Sequence, residues 1–320
     1  MPLKIKIPQI SKQIYNHQAL NVLESNYSAI GPQWTVHQME WTNSIYSAFK
    51  DHDKYLIVIY LVKKTLDFYS RNFVKLTYDQ FYSKDKVEIE EFNIIELSKN
   101  LNIPKESARR KIVELEESLV IKREKKRIIL DRSSFPFVKP INSVKRISRF
   151  LSIFSNMLKE EKVLPNSLTS EQLEKVIKNN FSYVWKIYYE LQIPMLLGYK
   201  KVFKNIETFH IFGTCVVNQH LRSQKLTMNN MKRMEFIKSI YLNENIQGVN
   251  AMSISDITGI PRATVVRKLK SLLKNNWLII DDKKHYKHNG NVVKDLAPVQ
   301  NAVLGQLANF STKIFNLAIL

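Results

Sequence analysis

The order of apolar and polar residues along the chain predicts helices for most of its length and short paired strands in two places. Ala108, Ile112 and Leu115 recur at the i, i+4, i+7 spacing that gathers side chains on one face of an α-helix, and so do Val265, Leu269 and Leu272. Leu173, Val176, Ile177 and Phe181 form a similar stripe that runs on towards Trp185, Tyr188 and Tyr189, and Thr169 with Gln172 has the spacing of a capping box at its start. Phe236, Ile237, Ile240 and Tyr241 share a further helical face within Met234–Tyr241, which fits an extra helix ahead of the second strand region. Tyr55–Val62 and Phe209–Val217 predict buried helices ahead of each copy, although their residues do not by themselves establish an alignment. Leu119–Ile121 with Ile128–Leu130, and Asn276–Ile280 with the alternation around Tyr286, predict two hairpins. From Val303 to Leu320 the only charge is Lys313, so this stretch is expected to pack back on the body or on a partner.

Self-similarity organises these elements. IIELSKNLNIPKESARRKIVELEESLVIKRE (Ile94–Glu124) and AMSISDITGIPRATVVRKLKSLLKNNWLIID (Ala251–Asp281) align without a gap, with identities at Ser98/Ser255, Ile103/Ile260, Pro104/Pro261, Arg110/Arg267, Lys111/Lys268 and Leu115/Leu272. Each copy predicts a short helix, a tight turn, a second helix and a hairpin. Asn102 and Gly259 stand at the turn, and these are the residue types that most readily adopt the left-handed conformation that ends a helix. Pro104 and Pro261 follow two positions later, where a fixed φ and a missing N–H suit the start of the next helix. Rotation by about 100° per residue from the buried Ala108 puts Glu106 and Arg110 on the opposite, outward face, with Ala263 and Arg267 as their counterparts.

Both segments resemble the winged helix-turn-helix domains of bacterial transcription regulators of the MarR, IclR and Crp kind. The second is the closer match, through Ile254-Ser255-Asp256-Ile257-Thr258-Gly259-Ile260-Pro261-Arg262-Ala263-Thr264-Val265 followed by Trp277-Leu278. The first has Leu119-Val120 where a Trp or Gly usually precedes the wing, and it carries Glu106 on the outward face. The resemblance covers about a quarter of the chain. It implies that the second helix of each copy enters the major groove of double-stranded DNA. Lys105, Glu106, Ser107 and Arg110 would then read one half-site, and Arg262, Ala263, Thr264 and Arg267 the other. Arg109, Lys111 and Lys268 on the helix flanks would hold phosphates, as would the wing residues Lys122, Arg123, Lys125, Lys126, Arg127, Lys283, Lys284 and His285.

Charge changes this picture because of where it lies. The chain carries 49 Lys+Arg against 29 Asp+Glu, a net +20, and is rich in the Lys, Asn, Ile and Tyr that an AT-rich genome encodes by drift. Drift does not place lysine. Lys105–Arg149 holds 14 basic and six acidic residues and Arg262–Lys294 nine basic and two acidic, so most of the surplus falls on the repeats and the adjoining segment, as counterion release from a polyanion would favour. Lys145, Arg146 and Arg149 after the break at Ser133-Ser134-Phe135-Pro136 would line a connecting helix that follows the DNA backbone.

Composition excludes several other classes. Seven glycines in 320 residues disfavour turn-rich β-sandwiches, and neither GxGxxG nor GxxxxGK[ST] occurs. Cys215 stands alone, and the opening MPLKIKIPQISK lacks the apolar stretch of a secretory signal, so a cytoplasmic location is expected. The longest apolar run, Tyr55–Val62, is far shorter than the ~20 residues that span a bilayer. His285 and His288 with Asp281 and Asp282 are a poor metal site beside the lysines of the same hairpin, and no constellation of residues suggests catalysis. The expected fold class is mainly α with small β-hairpin wings: an N-terminal segment (1–50), a first winged domain (51–135), a helical connector (136–205), a second winged domain (206–295) and a C-terminal helix (296–320). The expected function is sequence-specific DNA binding in transcription regulation, without enzyme activity or cofactor, with RNA polymerase or a second copy of the chain as further candidate partners and no membrane. The alternatives are a plasmid- or phage-type replication initiator with paired winged domains, and a protein–protein adaptor built on them.

Overall fold

The computed structural model describes residues 9–89, 93–124, 127–132, 140–224, 230–242 and 246–320. Lys125, Lys126, the segment Ser133–Pro136, the first eight residues and the side chain of Tyr241 lie outside them. Among the described residues there are fourteen α-helices and five short strands, so the chain is mainly helical with two small antiparallel sheets. No helix among them is long and apolar enough to cross a membrane.

The first half runs α1 (Asn16–Ser25), α2 (Tyr27–Phe49), α3 (His52–Arg71), α4 (Tyr78–Tyr82), β1 (Lys86–Ile89), α5 (Ile94–Leu101), α6 (Lys105–Glu117), β2 (Ile121–Glu124), β3 (Arg127–Asp131) and α7 (Ile141–Glu160). The second runs α8 (Ser170–Asn179), α9 (Phe181–Phe203), α10 (Ile206–Gln224), α11 (Arg233–Leu242), α12 (Ala251–Thr258), α13 (Arg262–Lys274), β4 (Leu278–Ile280), β5 (Tyr286–His288) and α14 (Val292–Ile319). In the first half β3 is central, with β1 and β2 antiparallel on its two sides. In the second β4 pairs with β5, and the single bridge Val249–Tyr286 stands where β1 pairs with β3.

The duplication therefore extends well beyond the repeat read from the sequence. α1 and α8 have 10 residues each and α2 and α9 have 23 each. Aligned without a gap they share Gln18/Gln172, Asn26/Asn180, Ser28/Ser182, Gln38/Gln192, Phe49/Phe203 and Lys50/Lys204. Gln18 accepts from the backbone N–H of Tyr15 and Gln172 from that of Thr169, both at 2.8 Å, so each opening helix has the same glutamine in its capping box. Lys50 and Lys204 both end the long helix in the left-handed conformation, with φ of 52° and 66°.

The two halves interlock. α2 packs on α10 and α9 on α3, while each closing helix lies on the other half's opening helix, α7 on α8 and α14 on α1. The shared serine fastens this arrangement twice over. Ser182 accepts from Leu76 N–H at 2.9 Å and donates its own N–H to the Leu76 carbonyl, and Ser28 forms the same pair with Met231. The segment expected to be a connector is thus body: α9 carries the buried Trp185, Tyr188 and Leu191. Met234–Tyr241 does form a helix, but α10, not α11, packs on α12, α13 and β5 and occupies the position that α3 holds in the first half. The apolar C-terminal stretch packs on α1, α8 and α9 through residues such as Leu307, Phe310 and Phe315.

Candidate nucleic-acid interface

The helix–turn–helix–hairpin segments are built alike down to individual bonds. Asn93 and Asn250 cap α5 and α12, accepting from Ile95 and Glu96 N–H in one case and from Ser253 N–H in the other. Asn102 (φ 49°) and Gly259 (φ 69°) are both left-handed, as the turn requires. Ser98 Oγ donates across the turn to the Ile103 carbonyl at 2.7 Å, and Ser255 Oγ to that of Ile260 at 2.8 Å, which gives the serine identity its physical cause. α6 and α13 end in the same way: Leu119 and Asn276 are left-handed, and the next N–H bonds back to Leu115 and Leu272 at 3.0 Å in each copy. The register of the first hairpin differs from expectation. β2 continues through Glu124, so Lys122 and Arg123 lie within a strand and not at a tip.

Burial sorts the expected site residues. Lys105, Glu106, Arg109 and Arg110 on α6 and Arg262, Ala263 and Arg267 on α13 are exposed, and Ser107 and Thr264 are half-buried beside them. Lys283 and Lys284 are exposed at the second hairpin, where Lys284 has a positive φ. His285 is tied down there, its N–H donating to Asp281 Oδ1 at 2.8 Å. His288 turns inward and is buried, and its N–H donates to Gln219.

Three basic residues do not point where the sequence suggested. Lys111 is buried and ion-paired with Asp51, whose carboxyl is held below its usual pKa; burial alone would raise it, and the ammonium together with the Asp53 and Lys54 N–H groups outweighs that. Lys268 reaches Asn205 at 3.2 Å and Glu207 at 3.5 Å. Both lysines lie about 60° from the buried stripe of their helix, close enough to be drawn onto the body, so neither is free for phosphate. Arg146 is half-buried and donates to Ser143, whereas Lys145 and Arg149 on the same helix are exposed.

The remaining cations divide the two copies. On the first, Arg110 pairs with Glu114 at 3.5 Å, Arg109 with Glu106 at 3.6 Å, Lys122 with Glu124 at 2.7 Å, Arg123 with Glu116 at 2.5 Å and Arg127 with Glu88 at 2.6 Å. On the second, Arg262, Arg267, Lys270, Lys283 and Lys284 have no carboxylate within 4.0 Å among the described residues. Among the described residues, the cations of the first surface other than Lys105 are paired with carboxylates, and those of the second are bare.

The rest of the titratable chemistry is buried. His37 is pushed down to about 3 and His220 to about 4 by desolvation, and His52 to about 4 with the nearby Asp51 opposing, so all three are neutral at pH 7. Burial also raises the Cys215 thiol to about 12, which makes it a poor nucleophile. Among the described residues no group of three His, Cys, Asp or Glu side chains could hold a metal ion. No family model matches the chain, and neither a curated protein nor a solved structure matches it.

Proposed function

We propose that the chain binds double-stranded DNA in a sequence-dependent manner through two non-identical winged helix-turn-helix readers, as a transcription regulator. The observation that carries this reading is the pair of equivalent helices, α6 and α13, that leave Arg110 and Arg267 exposed at the same position after the same proline-entered turn. Arginine at such a place can donate bidentately to guanine in the major groove, while hairpin lysines act on phosphates. The body supports the reading as well: interlocked halves hold two readers in one polypeptide, as two chains do in a homodimeric regulator. Because Lys105-Glu106-Ser107 and Arg262-Ala263-Thr264 differ, the preferred half-sites differ in sequence.

Selection of bound sequences from a random duplex pool, followed by titration of the winner at several salt concentrations, tests this. An asymmetric pair of half-sites and a steep fall of affinity with salt are expected. Enrichment of no sequence, or an affinity insensitive to salt, would leave a protein-docking role for both units.

A further inference from the structure

The second hairpin keeps an open edge where the first is closed. β2 and β4 are each an outer strand of their sheet, and an outer strand presents N–H and C=O groups with which another chain can pair. In the first copy this edge is blocked twice. The Arg123 N–H, which the ladder turns away from β3, donates to Glu116 Oε1 at 3.0 Å, and the Arg123 side chain folds over the same carboxylate, Nε to Oε2 at 2.7 Å. The strand also carries Lys122, Arg123 and Glu124, all exposed, and charged side chains discourage strand addition.

The second copy lacks both devices. In the gapless alignment Ile280 stands for Arg123 and Leu273 for Glu116, so a half-buried aliphatic side chain replaces the carboxylate that caps the edge. Neighbouring bonds fix the direction of the Ile280 N–H. Asp281 N–H donates to the His285 carbonyl at 3.1 Å and Asn289 N–H to that of Trp277 at 2.9 Å, while Tyr286, opposite Ile280, bonds away from β4 to Val249. By the alternation of an antiparallel pair Ile280 therefore turns its N–H and C=O outward, and among the described residues no acceptor meets that N–H. Ile279 and Ile280 are 43% and 44% exposed, where the first copy has Lys122 and Arg123.

The ground beside the edge changes charge as well. The last turns of α6 carry Glu114, Glu116 and Glu117, and the matching positions of α13 are Ser271, Leu273 and Lys274. Lys270, which replaces Val113, lies three residues before Leu273 and so on the same side of the helix. Lys270 and Lys274 are exposed and have no carboxylate within 4.0 Å among the described residues. Of the two acids that follow the strand, Asp281 is taken up by His285, and Asp282 stands between it and the bare Lys283 and Lys284.

We propose that β4 is a docking edge for an acidic segment of a partner protein, which adds to the sheet as a further strand. Main-chain bonds to Ile280 hold it, its apolar side chains cover Ile279 and Ile280, and its carboxylates meet Lys270 and Lys274. A second copy of the chain is the poorer occupant, because twofold pairing of β4 would set the uncompensated lysines of two chains, each of net charge +20, against one another. This assignment does not depend on DNA binding.

NMR of the whole chain with labelled isoleucine amides reads the edge directly. A hexapeptide that alternates glutamate and valine is titrated beside its lysine–valine counterpart and beside a copy methylated at every backbone nitrogen, against the unaltered chain, Leu273→Glu and Lys270→Glu. Saturable movement of the Ile280 amide and slowed exchange of its proton are expected. Binding should be at least about tenfold weaker for both control peptides and for Leu273→Glu, and at least about threefold weaker for Lys270→Glu. Because Leu273 packs partly on the core, Lys270→Glu is the deciding variant where Leu273→Glu melts early. Equal binding of the two charged peptides, binding that survives methylation, unchanged affinity in Lys270→Glu, or no saturation up to about 10 mM peptide would each overturn the proposal. So would movement of the Ile280 amide with chain concentration alone, which would give the edge to a second copy.

Discussion

The two helix–turn–helix segments share their caps, their turns and their helix ends, yet the cations on their faces are paired very differently. On the first, each described cation of the hairpin and of the outward helix face except Lys105 lies within 4.0 Å of a carboxylate, while on the second the matching arginine and the hairpin lysines stand alone. Similar backbone geometry with different charge pairing means that local fold and surface charge have been set separately. Exposed ion pairs are worth only about 0.2–1 kcal/mol each, so the first face can open to phosphate, but every contact there begins with a competitor already in place. On the proposed DNA-binding reading, the second copy is expected to supply most of the affinity and the first mostly selectivity.

Several measurements would break or sharpen that contrast. The widest effect concerns the shared body, since the two faces differ within one cooperative unit only if the halves unfold together. His37, His52, His210, His220 and His288 are buried on both sides of the contact between the halves, and burial lowers the pKa of each. A histidine with a depressed folded pKa contributes fully above its unfolded value near 6.5, and that contribution is lost as pH falls towards the folded value. Each such histidine steepens the loss by up to about 1.4 kcal/mol per pH unit, so the melting temperature should fall sharply below pH 6. One transition for both halves is expected, and two separate acid transitions would show that the halves are independent.

Next in size is the buried Lys111–Asp51 pair beneath α6. Asp51→Asn leaves Lys111 buried without its anion and should cost about 3–5 kcal/mol in denaturant unfolding, whereas Glu207→Gln under Lys268, where Asn205 remains, should cost less than about 1. Equal losses would mean that the two lysines are held alike. In DNA titrations Arg267→Ala is expected to weaken the preferred duplex by about 1–3 kcal/mol and Arg110→Ala by clearly less. The reverse order would dissolve the contrast on which this expectation rests. The smallest effect separates the two turns. Gly259 has φ of +69° and open space where a Cβ would stand, so Gly259→Ala should cost about 1 kcal/mol through backbone strain alone, and Asn102→Gly should cost little or nothing.

Much of the local structure was legible in the chain. Proline two positions after Asn102 or Gly259 marked both turns, the i, i+4, i+7 stripes marked the buried faces, and Thr169 with Gln172 marked a capping box, whose two bonds measure 3.2 and 2.8 Å. The larger duplication was not legible, because α2 and α9 are buried on most sides and so lack a periodic pattern to align; their shared residues are scattered caps and contacts. The charge pairing was legible only in part. Arg110 and Glu114 have helical i, i+4 spacing, but Arg127 meets Glu88 across strands and Arg123 meets Glu116 across a turn, distances that sequence alone does not close. Arg132 gave no signal at all: in the sequence it is one more cation of a basic window, and its burial depends on Phe81 and Tyr82 fifty residues earlier.

The crossing of α14 onto α1 has a consequence for how the protein is made. Ile14, just ahead of α1, leaves the ribosome 302 residues before Asn316 on the helix that covers α1, and the two hydrogen bonds between them, both 3.0 Å, wait for that helix. At about 5–20 residues per second that delay is roughly 15 to 60 s. Throughout it, Ala19, Val22 and Leu23 lack their final cover, and the first half remains a guest of whatever holds nascent chains until the second arrives.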